Sequence, residues 1–161
     1  MALSGDRAKL YDEEAKRKSG ITAAEALIAP WQVVREAVGA SYLCARLDAA
    51  GKTLELIAFS ELGGLTELRS HLADDAVIWV CFSFSPGYPY GDGSRKMAFL
   101  TCVGTAVGAM KRGKVALQKS GVMLALGGIA ADAGIFQGSA EATDEAILAD
   151  LRRNMPSAAL L

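Results

Sequence analysis

The sequence predicts an α+β fold, a mixed, largely antiparallel sheet of about five to six strands flanked by helices. Three observations lead there. Two runs, AVIWVCFSF at 76–84 and KMAFLTCV at 96–103, are apolar and aromatic with almost no polar alternation, as strands covered on both faces read. Stretches with apolar residues at helical spacing precede, separate and follow the strand-like runs. The connections are hairpin-like and too short for repeated strand–helix–strand crossovers, which favours antiparallel pairing.

In chain order, residues 1–20 read as a charged N-terminal extension, since Asp6 to Lys18 hold four acids and five bases. The domain proper is expected over 21–154, with a tail at 155–161. Thr22 and Glu25 have capping-box spacing and predict a helix start. Leu27, Trp31, Val34 and Val38 give that helix one apolar face; Pro30 kinks it or marks a restart, and Gly39 ends it. Ser41–Leu47 and Thr53–Phe59 flank an Ala-Ala-Gly centre and predict a hairpin with glycine at positive φ. Leu65, Leu68 and Leu72 predict a second helix. The run at 76–84 is the candidate sheet centre, SPGYPYGDGS at 85–94 is a loop, and 96–103 is the next strand. Gly104 opens a long helix to about Leu126; a short apolar piece around Ile135 and Phe136 and a last helix near Thr143–Asn154 complete the chain.

Composition limits the function classes. With 161 residues, 16.8 kDa and 52% hydrophobic residues, the chain suits one domain burying about two thirds of its unfolded surface. Seventeen Lys and Arg against eighteen Asp and Glu leave a formal charge of -1, so no global polybasic field exists for nucleic acid. Cys44, Cys81 and Cys102 are odd in number, widely spaced and set in apolar runs, which reads as reduced core thiols. No apolar run reaches the ~18 residues of a membrane span, and Met1–Lys18 lacks a signal-peptide core. A cytoplasmic protein without a membrane span is expected.

Catalytic residues are not apparent. His71 is the only histidine, Asp74 and Asp75 point apart on any regular element, and no metal-ligand spacing occurs. GTAVG at 104–108 suggests a phosphate cradle but lacks the lysine of a P-loop and the glycine triplet of a dinucleotide fingerprint, and no strand–helix–strand unit is expected around it. We therefore expect a binding protein, not an enzyme, with no metal and no cofactor.

Charge is unevenly distributed. No acid occurs from Gly93 to Ala131, while Arg95, Lys96, Lys111, Arg112, Lys114 and Lys119 supply six bases, so this segment carries +6 and the remainder -7. On a helical wheel Ala106, Ala109, Met110, Gly113, Ala116 and Leu117 share an arc of roughly 120°, with the four helical bases outside it. This predicts a smooth buried face, closely packed at Gly113, opposite a basic exposed face. All six bases are expected on one ridge beside the sheet, docking on a negatively charged partner.

These residues also carry a resemblance. RKMAFLTCVGTAVGAMKRGK at 95–114 resembles the strand-to-helix segment of coactosin-like proteins in the actin-depolymerising-factor homology (ADF/cofilin) family. DDAVIWVCFSF (74–84), WQVVREAVGASYLCARL (31–47) and ATDEAILADLRR (142–153) are similar to its central strand, first helix and strand, and closing helix. The resemblance implies the ADF-homology fold and side-binding to filamentous actin on the cytoskeleton, without severing. It also implies that Lys96 is a principal filament contact with Arg95 its neighbour, and that Lys111, Arg112 and Lys114 form the basic end of a docking helix. The alternative is a cytosolic adaptor that holds another protein on the same basic face. Residues 1–20 depart from the family pattern, as do Cys102 and Thr105.

Overall fold

The computed structural model describes residues 19–87 and 95–161. In chain order the elements are β1 (Thr22–Ala23), α1 (Glu25–Glu36), β2 (Tyr42–Leu47), β3 (Thr53–Ser60), α2 (Leu65–Leu68, continued by a 3-10 turn to His71), β4 (Val77–Ser85), β5 (Lys96–Val103), α3 (Ala109–Leu126), β6 (Ala131–Gln137), α4 (Asp144–Arg152) and β7 (Ala159–Leu160). The charged stretch at 6–18 and most of the loop at 85–94 lie outside the described residues.

The two apolar runs pair with each other. β4 and β5 are antiparallel from Val77↔Val103 to Phe84↔Lys96, and their side chains are almost all buried. The sheet runs β1-β3-β2-β4-β5-β6, with β7 on the far end of β4, so β4 and β5 lie inside it. β1–β3 and β5–β6 are parallel and the other pairs antiparallel, giving a mixed, mostly antiparallel sheet. Alternating side chains feed two cores. Trp79, Cys81 and Phe99 pack under α1 and α3 with Trp31, Val115 and Val122. Ile78, Phe82 and Leu100 pack under α2 and α4 with Leu68, Ile147 and Leu151. Full burial of each large apolar side chain contributes about 1.5–3 kcal/mol, which is why both faces must be covered.

Several local expectations change. Thr22 caps no helix: its amide donates to Lys52 O at 2.8 Å and that of Ala24 to Leu54 O at 2.9 Å, so β3 claims this segment as β1. α1 begins at Glu25 without a side-chain cap and runs as one helix through Pro30. The hairpin glycine is as expected, with Gly51 at φ 69°. α2 is shorter than predicted. The long helix starts at Ala109, five residues after Gly104, and ends at Leu126 before Gly127 and Gly128, both at positive φ. Because β6 lies parallel to β5, α3 is a true crossover between them, contrary to the expectation that no such unit surrounds GTAVG. Residues 104–130 are long enough for one. The last helix begins with Thr143 Oγ1 accepting the Ala146 amide at 3.2 Å, and Ala159–Leu160 then return to pair with Phe84 and Ser85.

Gly104 is fixed by contact: a Cβ there would lie 2.1 Å from Asp74 O. Around a Cβ at Gly113, by contrast, nothing lies within 4 Å. Gly104→Ala is therefore expected to lower the thermal midpoint, at a cost of about 1–3 kcal/mol. Gly113→Ala should raise it, gaining up to ~1 kcal/mol of helix propensity. Thermal denaturation followed by circular dichroism checks both signs.

Candidate functional site

α3 presents to solvent the face that its helical wheel assigned to the core. Val115, Val122 and Leu126 are its buried residues of substantial size, and at 100° per residue they centre roughly 140° from Met110. Ala106, Ala109, Gly113 and Ala116 are exposed, Met110 is 79% exposed and Leu117 84%. The helix has two apolar stripes, and the β-branched one packs. Gly113 thus gives no close approach. That role belongs to Gly121, where a Cβ would lie 2.9 Å from Ile21 Cδ1 and 3.0 Å from Ser19 Cβ.

The six bases do not form one ridge. Lys111 and Lys114 are exposed, and Lys114 stands between Met110 and Leu117 on the outward stripe. Lys96 is exposed at the opposite end of β5, an eight-residue strand spanning about 25 Å. The side chains of these three lysines form no ion pair or hydrogen bond among the described residues.

The other three are engaged. Arg95 closes the C-terminal end of α1: Nε donates to Gly39 O at 2.8 Å, Nη1 to Arg35 O at 2.9 Å, and Nη2 to Val34 O and Ser41 Oγ. Arg112 gathers the turn before its own helix. Its Nε donates to Val107 O at 2.9 Å, Nη2 to Gly104 O at 2.7 Å and Thr105 O at 3.0 Å, and Nη1 to Gln137 Oε1. Lys119 pairs with Asp132 on β6, both side chains largely covered. A guanidinium's planar fork can satisfy several carbonyls at once, whereas a lysine keeps a mobile hydrated charge. The arginines therefore hold backbone and three of the lysines face outward.

Lys111 and Lys114 also border an open cleft of about 630 Å³. Its opposite wall is the β2–β3 turn, with Asp48 and Gly51, and Trp79 contributes to its lining. Asp48 is committed to the turn, accepting the amides of Lys52 at 2.9 Å and Thr53 at 3.1 Å. Those amides, Lys52's first, hold its carboxyl below the usual range.

GTAVG offers no anion cradle. The amides of Gly104 and Ala106 donate to Ala76 O and Asp74 O, and that of Val107 to Gly104 O. Its carbonyls face Arg112. The remaining reactive side chains serve packing. The Tyr42 hydroxyl lies 3.1 Å from both Glu67 Oε1 and His71 Nε2. All three cysteines are buried and reduced. Burial pushes the Cys44 thiol up to about 12, Cys102 to about 11, and Cys81 well above its ordinary value. A thiol held neutral is a poor nucleophile. Among the described residues no group of three His, Cys, Asp or Glu side chains is placed to hold a metal ion, and no helix is long and apolar enough to cross a membrane.

Met110 and Leu117 are the surface residues that sequence reasoning missed. The competing stripe Val115, Val122 and Leu126 was the available signal, because each of its members is a sizeable apolar side chain whereas the other arc is mostly alanine and glycine.

The family model for cofilin/tropomyosin-type actin-binding proteins matches residues 20–152. Among solved structures, the fold is similar to human coactosin-like protein, with TM-score 0.68 and 18% identity over 83% of this chain and 90% of that one. It is similar to coactosin from Entamoeba histolytica, with TM-score 0.66 and 16% identity over 84% and 96%. Mouse coactosin, described as an actin filament binding protein, matches with TM-score 0.61 and 20% identity over 83% and 92%. A comparison with curated protein sequences finds no significant match.

Two predictions follow from the buried groups and the clamps. Burial, followed by the Glu67 hydrogen bond, raises Tyr42 from 10.0 to about 12, and burial alone raises Cys44 from 9.0 to about 12. Both are held neutral in the fold, so their stabilisation is complete below pH 9 and is lost as pH rises from 9 to 12. The urea midpoint should fall across that window, and less so in Cys44→Ala. Arg112→Ala should cost about 2–3 kcal/mol by leaving its carbonyl partners without a charged donor, against less than about 0.5 kcal/mol for Lys111→Ala; urea titration separates the two.

Proposed function

The chain belongs to the cofilin/tropomyosin-type actin-binding family, and we propose that it is a coactosin-type cytoskeletal regulator that binds the side of actin filaments in the cytoplasm. It does so without severing them and without a catalytic step. The observation that carries the reading is the outward stripe of α3, where Met110 and Leu117 stand exposed with Lys111 and Lys114 unpaired among the described residues. An apolar strip among free cations suits a protein partner with an acidic surface: the lysines steer the encounter and the apolar side chains set how long it lasts.

Lys96 is a second contact region, at the other end of the sheet. Two regions so far apart suit a partner that repeats, such as a polymer offering adjacent subunits. Arg95 and Arg112 act on binding indirectly, by fixing the backbone beside Lys96 and beneath α3, and Lys119 acts through its pair with Asp132. The similarity in fold to mouse coactosin, described as an actin filament binding protein, supports a filament as the partner.

Co-sedimentation with filamentous actin tests this. The protein should pellet at low salt and be released progressively as salt screens the lysines. Lys96→Glu and Leu117→Asp should each weaken pelleting about tenfold, equivalent to ~1.4 kcal/mol, while Lys18→Glu leaves it unchanged. Protein that stays in the supernatant at tens of micromolar actin ends the filament reading, and equal losses from all three variants show nonspecific attraction. Shortened filaments under the microscope contradict the non-severing part.

A further inference from the structure

α3 joins the core late. Its first buried residue is Val115, and Leu47 and Val77, at the margin of the core it covers, stay only half-buried. Four residues before Val115 and three after it, toward the packed side of the helix, stand Lys111 and Gln118 where apolar residues would extend the contact. The cleft of about 630 Å³ between α3 and the β2–β3 turn follows from that interruption. Leu47, Val77 and Trp79 give it apolar surface, and Met110, Lys111, Lys114 and Gln118 form its helix wall. A Cβ at Gly51 would lie 3.0 Å from Gln118 Nε2, so helix and turn meet there, and no residue of α3 beyond Gln118 lines the cleft. That contact closes one end. From Met110 to Gln118 the wall is about 12 Å long, at 1.5 Å per residue, which suits a small molecule better than an extended chain.

The charges of the lining select the ligand. Arg46 and Glu55 pair at 3.6 Å, and Asp48 is turned onto the amides of Lys52 and Thr53. Lys111, Lys114 and Asp75 have no partner among the described residues. Three bases and three acids balance over the whole cleft, so it has no net attraction for a polyanion. The two lysines, however, are neighbours at i and i+3 on one wall, where like charges repel and a single anion between them relieves the repulsion.

We propose that this cleft is a binding site for a small apolar monocarboxylate, its apolar body on Leu47 and Val77 and its carboxylate between Lys111 and Lys114. The volume is that of an ordinary small-molecule site. Occupation engages the two lysines that α3 offers to a protein partner, so the ligand weakens filament binding. That consequence rests on the filament reading above, whereas the binding does not.

The test uses the full chain with naphthoate as the probe and naphthamide as its uncharged counterpart. Trp79 lines the cleft and its indole N–H is buried without a partner, so its resonance in a proton–nitrogen correlation spectrum reports occupancy. Trp31, bonded to Leu126 O, is the internal control, and Trp31→Phe assigns the two signals. Naphthoate should shift the Trp79 signal saturably at millimolar concentration and leave that of Trp31 in place. Naphthamide should bind about tenfold more weakly, and Lys111→Gln/Lys114→Gln should lower naphthoate affinity about tenfold without changing that of naphthamide. Absence of a saturable shift overturns the proposal, as do equal affinities for the two probes or unchanged naphthoate binding in the double variant. Inositol trisphosphate that displaces naphthoate at lower concentration also overturns it, by assigning the lysines to a polyanion. Saturating naphthoate should reduce co-sedimentation with filaments, and unchanged pelleting overturns the competition. If the protein alone does not pellet, the filament reading fails and the Trp79 titration decides the site.

Discussion

Burial of the β4–β5 pair on both faces is the constraint from which the rest of the fold follows. These strands are apolar along nearly their whole length, so a sheet with one wet face would leave half of their side chains in water. Helices are required on each side, and the chain supplies α1 and α3 to one and α2 and α4 to the other. The cost of sealing the sheet is visible at its centre. Trp79 Nε1 and Thr101 Oγ1, opposite each other in the ladder, are buried without hydrogen-bond partners, a penalty of about 1–3 kcal/mol each that packing must exceed. The crossing from β5 to α3 is equally determined. Gly104 lies against the 73–74 backbone, and Arg112 draws the carbonyls of 104–107 together, fixing the direction in which the helix leaves.

The segment of uniform positive sign has two roles in the folded molecule. Its arginines replace missing backbone partners, at the end of α1 and in the turn before α3, while Lys96, Lys111 and Lys114 remain on the surface. Charge counted along the sequence therefore overstates the charge available to a partner. The acids elsewhere in the chain, such as Asp48 in its turn, are likewise partly committed to local structure.

The architecture was legible because its signals are compositional. The runs at 76–84 and 96–103 need no knowledge of their neighbours to be read as buried strands, and the Gly51 turn needs only its own backbone geometry. Elements whose state depends on distant partners were misread. Thr22 has the local pattern of a cap, yet the edge of β3 offers its segment ladder bonds, and the ladder prevails. α3 carries two apolar arcs, and only the sheet beneath it selects the one containing Val115 and Val122. The phase error moved Met110 and Leu117 from surface to core. The single ridge failed for a related reason: Arg95 and Lys96 are adjacent in sequence, but one turns onto the backbone of α1 while the other projects outward, far from the bases of α3.

The two tryptophans occupy unlike surroundings. Trp79 is sealed in the core and stacked on Phe99, with ring centroids 6.0 Å apart. Trp31 lies under the Arg35 guanidinium, 5.7 Å from its ring centroid, and its indole N–H donates to Leu126 O, the last residue of α3, at 2.8 Å. Loosening of that helix end would free the indole and alter the polarity around it. Trp31 emission is thus a native optical gauge of the long helix, independent of any attached dye.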